Sequence, residues 1–232
     1  MVMSESIRLM ADDSGAALRV MRPQGEVVFS SDGYASLGLL PRSIKPVATV
    51  FDEFPRPAAE ERLRLYSEVI QNGHAVRMVE LLHGRLCVST HRRLELADAM
   101  PCVLVGFVPV QDRDHYQRVM SDAEHRRAVF NTGGALSGLG IRQIEVLRLI
   151  GLGFNGQEIA QELHRSPRTI EFHRKAIRDR LGEMTLVELA QLACRSGIVH
   201  MPQSDLENWW SKHNRPMDTG PAGRIHDLPP PG

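Results

Sequence analysis

The chain has 232 residues, of which 42% are apolar and 24% charged, and its 28 basic side chains balance its 28 acidic ones. This length and composition suit two small globular domains, each with a packed core. Because no apolar run approaches the roughly 20 residues of a membrane span, and residues 1–13 are acidic where a signal peptide would be basic, we expect a cytoplasmic protein with no membrane partner.

The first half of the chain, after an extension of residues 1–13, has the pattern of a sheet covered by helices. Residues 31–38 predict a helical turn, and residues 58–71 predict an amphipathic helix that ends at Asn72-Gly73. The resulting order β-β-α-α-β-β-β predicts an α+β domain, an antiparallel sheet with helices on one side. The strand patterns lie at residues 17–21, 26–29, 76–82, 86–94 and 103–110.

Several short motifs in this half resemble those of a PAS domain, and their order and spacing over residues 14–110 carry the resemblance. It implies a PAS-like sensor or dimerisation domain. The cofactor is unknown; a haem, a flavin, a small organic ligand, a protein input or no ligand at all stay open. The motifs are a hairpin with a central Gly25, a turn ending at Gly38-Leu39, a helix closing at residues 72–76, a Gly84-Arg85 hairpin tip and a last strand at residues 105–108.

A phosphorylated receiver domain does not fit this half of the chain. No lysine lies between Lys45 and Lys175, whereas a receiver needs one after its threonine. His74, His83 and His91 are iron ligands only in the sense that any histidine is, and the turns at two of them favour solvated side chains.

Cysteine usage argues against disulfides, metal sites and thiol catalysis. Cys87, Cys102 and Cys194 are few and scattered, and no CxxC pair suggests zinc. We expect buried, reduced thiols and no metal site. Because a hydrolase built from Cys87 with His91, or from Cys102 with His115, has no motif around it, we predict no catalytic residues and no enzyme.

Residues 111–135 are predicted to be a helical linker, and residues 201–232 a mostly disordered, proline-rich tail. Residues 111–130 have the pattern of one charged helix, followed by a flexible break at 131–134. Its apolar stripe would either pair with a second chain or pack on its own sheet. The stripe consists of Tyr116, Val119, Met120 and Ala123.

Residues 136–200 carry the start and stop signals of four short helices, which predicts an all-α domain. Between residues 165 and 180 six cations face only two acids, although the whole chain has no net charge. Such a local basic surface suits a phosphate backbone. The signals are caps at Asn155, Ser166 and Thr185, a proline at the first helical position, Pro167, and stops at Gly182 and Gly197.

This second half resembles the helix-turn-helix domain of the LuxR/FixJ family. Departures are Gly140-Ile141, where the family has a Thr-Pro-like start, and Arg180, where lysine is more common. Neither change alters the surface that would face DNA. The residues that carry the resemblance are 142–147, 153–160, Leu163, Ser166, 169–173, Ile177 and 180–182.

The resemblance implies that the third helix enters the major groove of double-stranded DNA. A glutamate there would accept from cytosine N4, a phenylalanine would pack on a thymine methyl, and a lysine would donate to guanine. His173 is expected to pack within the domain. The implied base contacts are Glu171, Phe172, Arg174 and Lys175. The implied phosphate contacts are Ser166, Arg168, Thr169 and Arg178.

These features predict a dimeric, sequence-specific transcriptional regulator whose PAS-like domain controls its DNA-binding domain. The family's usual dimer surface is helix four, residues 186–195. Within the domain itself, this helix is expected to bury Leu186, Leu189, Ala190 and Ala193. The alternative is a non-enzymatic interaction protein that pairs with another regulator and binds DNA weakly or not at all. Glu171 keeps this alternative open, because a carboxylate near phosphates lowers affinity.

Overall fold

The computed structural model describes residues 9, 11, 13–36, 48–96, 100–122 and 124–213. Its contacts divide the chain into two compact units, Met1–Gly134 and Ala135–Gly232. In the described parts of both units, no helix is long and apolar enough to cross a membrane.

The N-terminal unit is built on a six-stranded sheet with the order β2-β1-β5-β4-β3-β6. Neighbouring strands are antiparallel, except that β6 runs parallel to β3. The first five strands agree with the predicted antiparallel sheet, and the sixth was not predicted. The strands are β1 (Ala17–Met21), β2 (Val27–Ser30), β3 (Val76–Leu82), β4 (Arg85–Glu95), β5 (Pro101–Pro109) and β6 (His125–Arg127).

Three of the described helices that precede β3 share one core with the sheet: α1 (Asp32–Ser36), α2 (Val50–Glu53) and α3 (Arg56–Asn72). Helix α3 ends because Gly73 adopts the left-handed conformation, with φ 70°, which favours glycine. Alternate strand residues face these helices, as the two-residue period of a strand requires. The core contains Tyr34, Phe54, Tyr66, Val69, Met21, Met78, Cys87 and Val105.

The prediction of one long helix over residues 111–130 is wrong. The helix α4 (Arg113–Ser121) is short, and β6 follows it. A sheet edge offers unpaired N–H and C=O groups, and residues 125–127 pair with that edge at β3. Tyr116 and Val119 of the apolar stripe are already buried by the chain itself, whereas Ala123 lies outside the described residues.

The C-terminal unit contains the four predicted helices, which are α5 (Ile141–Gly151), α6 (Gly156–Glu162), α7 (Pro167–Leu181) and α8 (Leu186–Ser196). Asn155, Ser166 and Thr185 cap α6, α7 and α8 with their side chains, as predicted. Gly197 ends α8 with a φ of 77°.

The tail predicted to be disordered contains a further helix, α9 (Gln203–His213). Leu206 and Trp210 of this helix are buried, and the Trp210 Nε1 donates to the Leu139 carbonyl oxygen at 2.8 Å. A buried indole with a satisfied N–H favours docking over disorder. Residues 214–232 of the tail lie outside the described residues.

We expect Trp210→Ala to lower the free energy of unfolding of the C-terminal unit by about 3–5 kcal/mol, as removal of a buried aromatic side chain does. Trp210→Phe keeps most of the apolar area but removes the hydrogen bond from the indole to the Leu139 carbonyl oxygen, which costs about 1 kcal/mol. Urea denaturation followed by circular dichroism measures both. Gln161→Ala, at an exposed position of α6, is the control. Equal stabilities for all three variants would show that α9 does not contribute to the core.

Candidate nucleic-acid interface

Helix α7 has one apolar stripe and one polar face. Ile170, Ile177 and Leu181 recur at the spacing of a single helix face and are buried. Their burial fixes the rotation of the helix about its own axis. The opposite face therefore points away from the core of the unit.

The start of α7 is fixed by its own cap. The Ser166 Oγ accepts from the Thr169 N–H at 3.1 Å, and Pro167 occupies the first helical turn. Because Pro167 has no N–H, and the N–H groups of Thr169 and Ile170 are already donated to Ser166, this helix end offers few backbone donors to a phosphate. Phosphate contacts here depend mainly on side chains.

Three of the four predicted base-contacting residues lie together on the outward face of α7. The Phe172 side chain is 69% exposed, which is unusual for a large apolar residue, and Glu171 and Lys175 beside it are exposed. Arg174 is different. Its side chain is only 18% exposed, and its Nη1 donates to the Glu171 Oε1 at 2.6 Å.

The four predicted phosphate-contacting residues lie along the same helix. Ser166 and Arg168 are exposed, whereas Thr169 and Arg178 are half-buried. The hydroxyls of Ser166 and Thr169 bond to each other at 2.8 Å. His173, predicted to pack within the domain, is half-buried, with its ring 5.9 Å from the Phe172 ring.

Helix α8 exposes apolar side chains at its start. Leu189 and Ala193 are buried as core residues, but Leu186 and Val187 are exposed. The prediction that Leu186 is buried is therefore wrong, because its place at the first position of the helix lies beyond the packed face. Cys194 is also exposed, contrary to the prediction for the thiols, whereas Cys87 and Cys102 are buried.

Glu53 is the centre of a buried polar cluster in the N-terminal unit. Its carboxylate accepts from the Tyr34 hydroxyl at 2.6 Å, pairs with Arg19 and lies 3.0 Å from the His83 Nε2. Burial acts to raise the pKa of Glu53, but the His83 hydrogen bond, the Arg19 charge and the Tyr34 hydrogen bond outweigh it and hold the pKa below its ordinary value. The carboxylate is thus ionised inside the core.

A second buried cluster joins α3 to the sheet. Arg62 pairs with Glu80, the Ser89 Oγ donates to the Glu80 Oε1 at 2.5 Å, and the His91 Nε2 lies 3.0 Å from the Ser89 Oγ. Burial, with the nearby Arg62 charge, lowers the pKa of His91 from 6.5 to about 3. His91 is therefore neutral in the folded protein near pH 7.

Sequence reasoning missed both clusters. The available signal was the two-residue period of the strands, since Arg19 lies between Ala17 and Met21 on the inward face of β1. A charged residue at an inward position requires a buried partner. The prediction that His83 is solvated at its turn is wrong, because its imidazole contacts Glu53.

The β3–β4 turn at His83 holds the last residues of the N-terminal unit. The His83 N–H donates to the Thr132 Oγ1 at 2.7 Å, and the Gly84 N–H donates to the Thr132 carbonyl oxygen at 2.7 Å. A side chain at Gly134 would collide with the His83 carbonyl. The segment that leads into the C-terminal unit is thus bonded to the same turn that contacts the buried carboxylate.

The family comparison concerns the C-terminal unit. Residues 137–193 match the family described as bacterial regulatory proteins, luxR family. The C-terminal unit is a LuxR-type helix-turn-helix domain. The matched segment is less than half of the chain and contains α5, α6, α7 and most of α8. A comparison with curated proteins gave no match.

Solved structures with similar folds include both whole-chain and PAS-domain examples. The phage VqmA–DPO complex is 17% identical over 88% of this chain and 93% of that chain, with a TM-score of 0.46. The Vibrio cholerae VqmA dimer is 20% identical over 88% of this chain and 93% of that chain, with a TM-score of 0.42. The PAS domain of Bordetella pertussis BvgS is 16% identical over 50% of this chain and 92% of that chain, with a TM-score of 0.38. The N-terminal unit consists of a mixed six-stranded sheet with helices, and its assignment as a PAS-like domain stays a prediction.

We expect the free energy of unfolding of the N-terminal unit to fall as the pH falls below about 6.5, because the unfolded chain binds a proton at His91 that the folded chain excludes. The slope for this one proton is at most about 1.4 kcal/mol per pH unit. Glu53, with its lowered pKa, adds to the loss only at more acidic pH. Urea denaturation of the full chain between about pH 5 and 7 measures the slope.

The control is His91→Gln, which removes the titrating group and leaves the other histidines in place. Its stability should depend less steeply on pH than that of the wild type over this range. Identical slopes for the two proteins would contradict a neutral, buried His91.

Proposed function

We propose that this protein is a sequence-specific transcriptional regulator that binds double-stranded DNA as a homodimer. The observation that carries the proposal is the exposed group of Glu171, Phe172 and Lys175 on the outward face of α7, within a LuxR-type domain. A large aromatic side chain that is 69% exposed beside a cation suits a surface that is covered when a ligand binds.

The chemistry of the side chains assigns each a base or backbone group. Lys175 donates to the O6 and N7 acceptors of guanine, and Phe172 packs on a thymine methyl. Arg168 and Arg178 neutralise phosphates, which fixes the register of the helix on the duplex without reading sequence. Ser166 and Thr169 add hydroxyl contacts at the start of α7.

Dimerisation follows from the size of the module. A single small domain buries little DNA surface, so specific sites are commonly read as two half-sites about one helical turn, ~34 Å, apart. The exposed Leu186 and Val187 at the start of α8 support this helix as the contact between protomers. The PAS-like unit controls the pairing in response to a small-molecule or protein signal whose identity is unknown.

The equilibrium constant for duplex binding by the full chain should fall steeply with salt, because each neutralised phosphate releases counterions and contributes about −0.9 to the slope of log K against log salt. Fluorescence anisotropy with a labelled duplex selected from a random library measures this slope. A chain that ignores every duplex at low salt would support instead the interaction protein that pairs with another regulator.

Lys175→Ala should relax the preference for guanine at one base pair of each half-site by about 1–3 kcal/mol. Arg178→Ala should weaken binding to all sequences alike and make the salt slope shallower by about 1 for each protomer. Binding measured on a panel of single-base variants separates the two effects. A uniform loss from Lys175→Ala would assign this lysine to the phosphates instead of the bases.

A further inference from the structure

We propose that Arg174 does not contact a base but positions the Glu171 carboxylate, so that the two residues together determine one base pair of the operator. This inference rests on the proposed function. It differs from the expectation that Arg174 is itself a base-contacting residue. The proposal rests on the ion pair between Arg174 and Glu171.

Helical spacing places Arg174 on the buried side of α7. It lies four residues after Ile170 and three before Ile177, two members of the buried apolar stripe. Its side chain is 18% exposed, and its Nε is buried with no hydrogen-bond partner among the residues that the structure describes. A contact with a base edge in the major groove needs an outward-facing side chain, a condition that Phe172 and Lys175 meet and Arg174 does not.

Glu171 lies at the border between the buried stripe and the outward face. Its side chain is 57% exposed, and its Oε1 accepts from the Arg174 Nη1 at 2.6 Å. Held at one oxygen, the carboxylate loses rotamer freedom before DNA arrives, and this lowers the entropy that binding would otherwise cost. The second oxygen can accept from an exocyclic amino group of a base. In the major groove cytosine offers only its N4 amino donor, whereas adenine offers an amino donor next to the N7 acceptor, which would repel a carboxylate.

Gly156, the first residue of α6, lies next to the ion pair. A methyl group at Gly156 would lie 3.5 Å from the Glu171 Oε1 and 3.6 Å from the Arg174 Nη1. The pair therefore lies in the corner between the start of α6 and the outward side of α7.

The same ion pair reduces the repulsion between the Glu171 carboxylate and the DNA phosphates. An isolated carboxylate close to phosphates repels them, which lowers affinity for every sequence. A guanidinium 2.6 Å from that carboxylate cancels most of its field at the distance of the backbone. The carboxylate thus selects a base without a general loss of DNA affinity.

The test compares base preferences of full-length variants by sequencing duplexes selected from a random library. Glu171→Ala should reduce a preference for cytosine of about 5- to 150-fold at one position to less than about twofold. Arg174→Ala should reduce the preference at the same position, and the double variant should lose no more than Glu171→Ala alone. Arg174→Lys keeps a cation beside Glu171 and should retain much of the preference.

Two controls separate positioning from folding and from phosphate binding. Thermal unfolding by circular dichroism checks that each variant is folded, and Arg178→Ala should lower affinity without changing any base preference. The proposal is overturned if Arg174→Ala changes a different base pair, lowers binding to all sequences alike or leaves every preference unchanged. A wild-type protein without any base preference would overturn the proposed function as well.

Discussion

The buried stripe of Ile170, Ile177 and Leu181 is the constraint on which the outward surface of α7 depends. Burial of one large aliphatic side chain contributes about 1.5–3 kcal/mol, so rotating α7 to bury a different face would cost more than any single surface contact returns. Once this rotation is fixed, the direction of every other side chain on α7 follows from the 3.6-residue period. Phe172 and Lys175 face outward for this reason, and Arg174 lies near the core.

Both units contain charged groups in places where water is excluded, and both compensate them locally. In the N-terminal unit Arg19 pairs with Glu53 and Arg62 pairs with Glu80, while hydroxyls and imidazoles satisfy the remaining carboxylate oxygens. Buried pairs of this kind add little net stability, but removal of one partner is costly. The Glu53 cluster of the N-terminal unit is joined through His83 to the residues that lead out of the unit.

Local signals predicted most of the elements, because caps, glycine stops and strand alternation act over a few residues. Asn155, Ser166 and Thr185 cap their helices as expected. The errors concern contacts between distant parts of the chain. Residues 125–127 form a strand because the edge of β3 is available, and α9 docks through a bond from Trp210 to Leu139 that no local pattern encodes. The charge of Arg174 alone favours an outward position, whereas its spacing from Ile170 places it next to the buried stripe, where its side chain is 18% exposed.

The sequence by itself determined the two-part organisation, the four helices around the basic segment and the side chains offered by α7, since these depend on periodicity and on residues adjacent in the chain. Only the tertiary structure decided which of those side chains are available. It placed Arg174 in a corner with Glu171 and Gly156, left Phe172 uncovered, and brought Glu53 and His83 together from separate elements. The reason is that exposure and ionic pairing are properties of neighbours in space, and the sequence specifies those neighbours only through the complete packing of the fold.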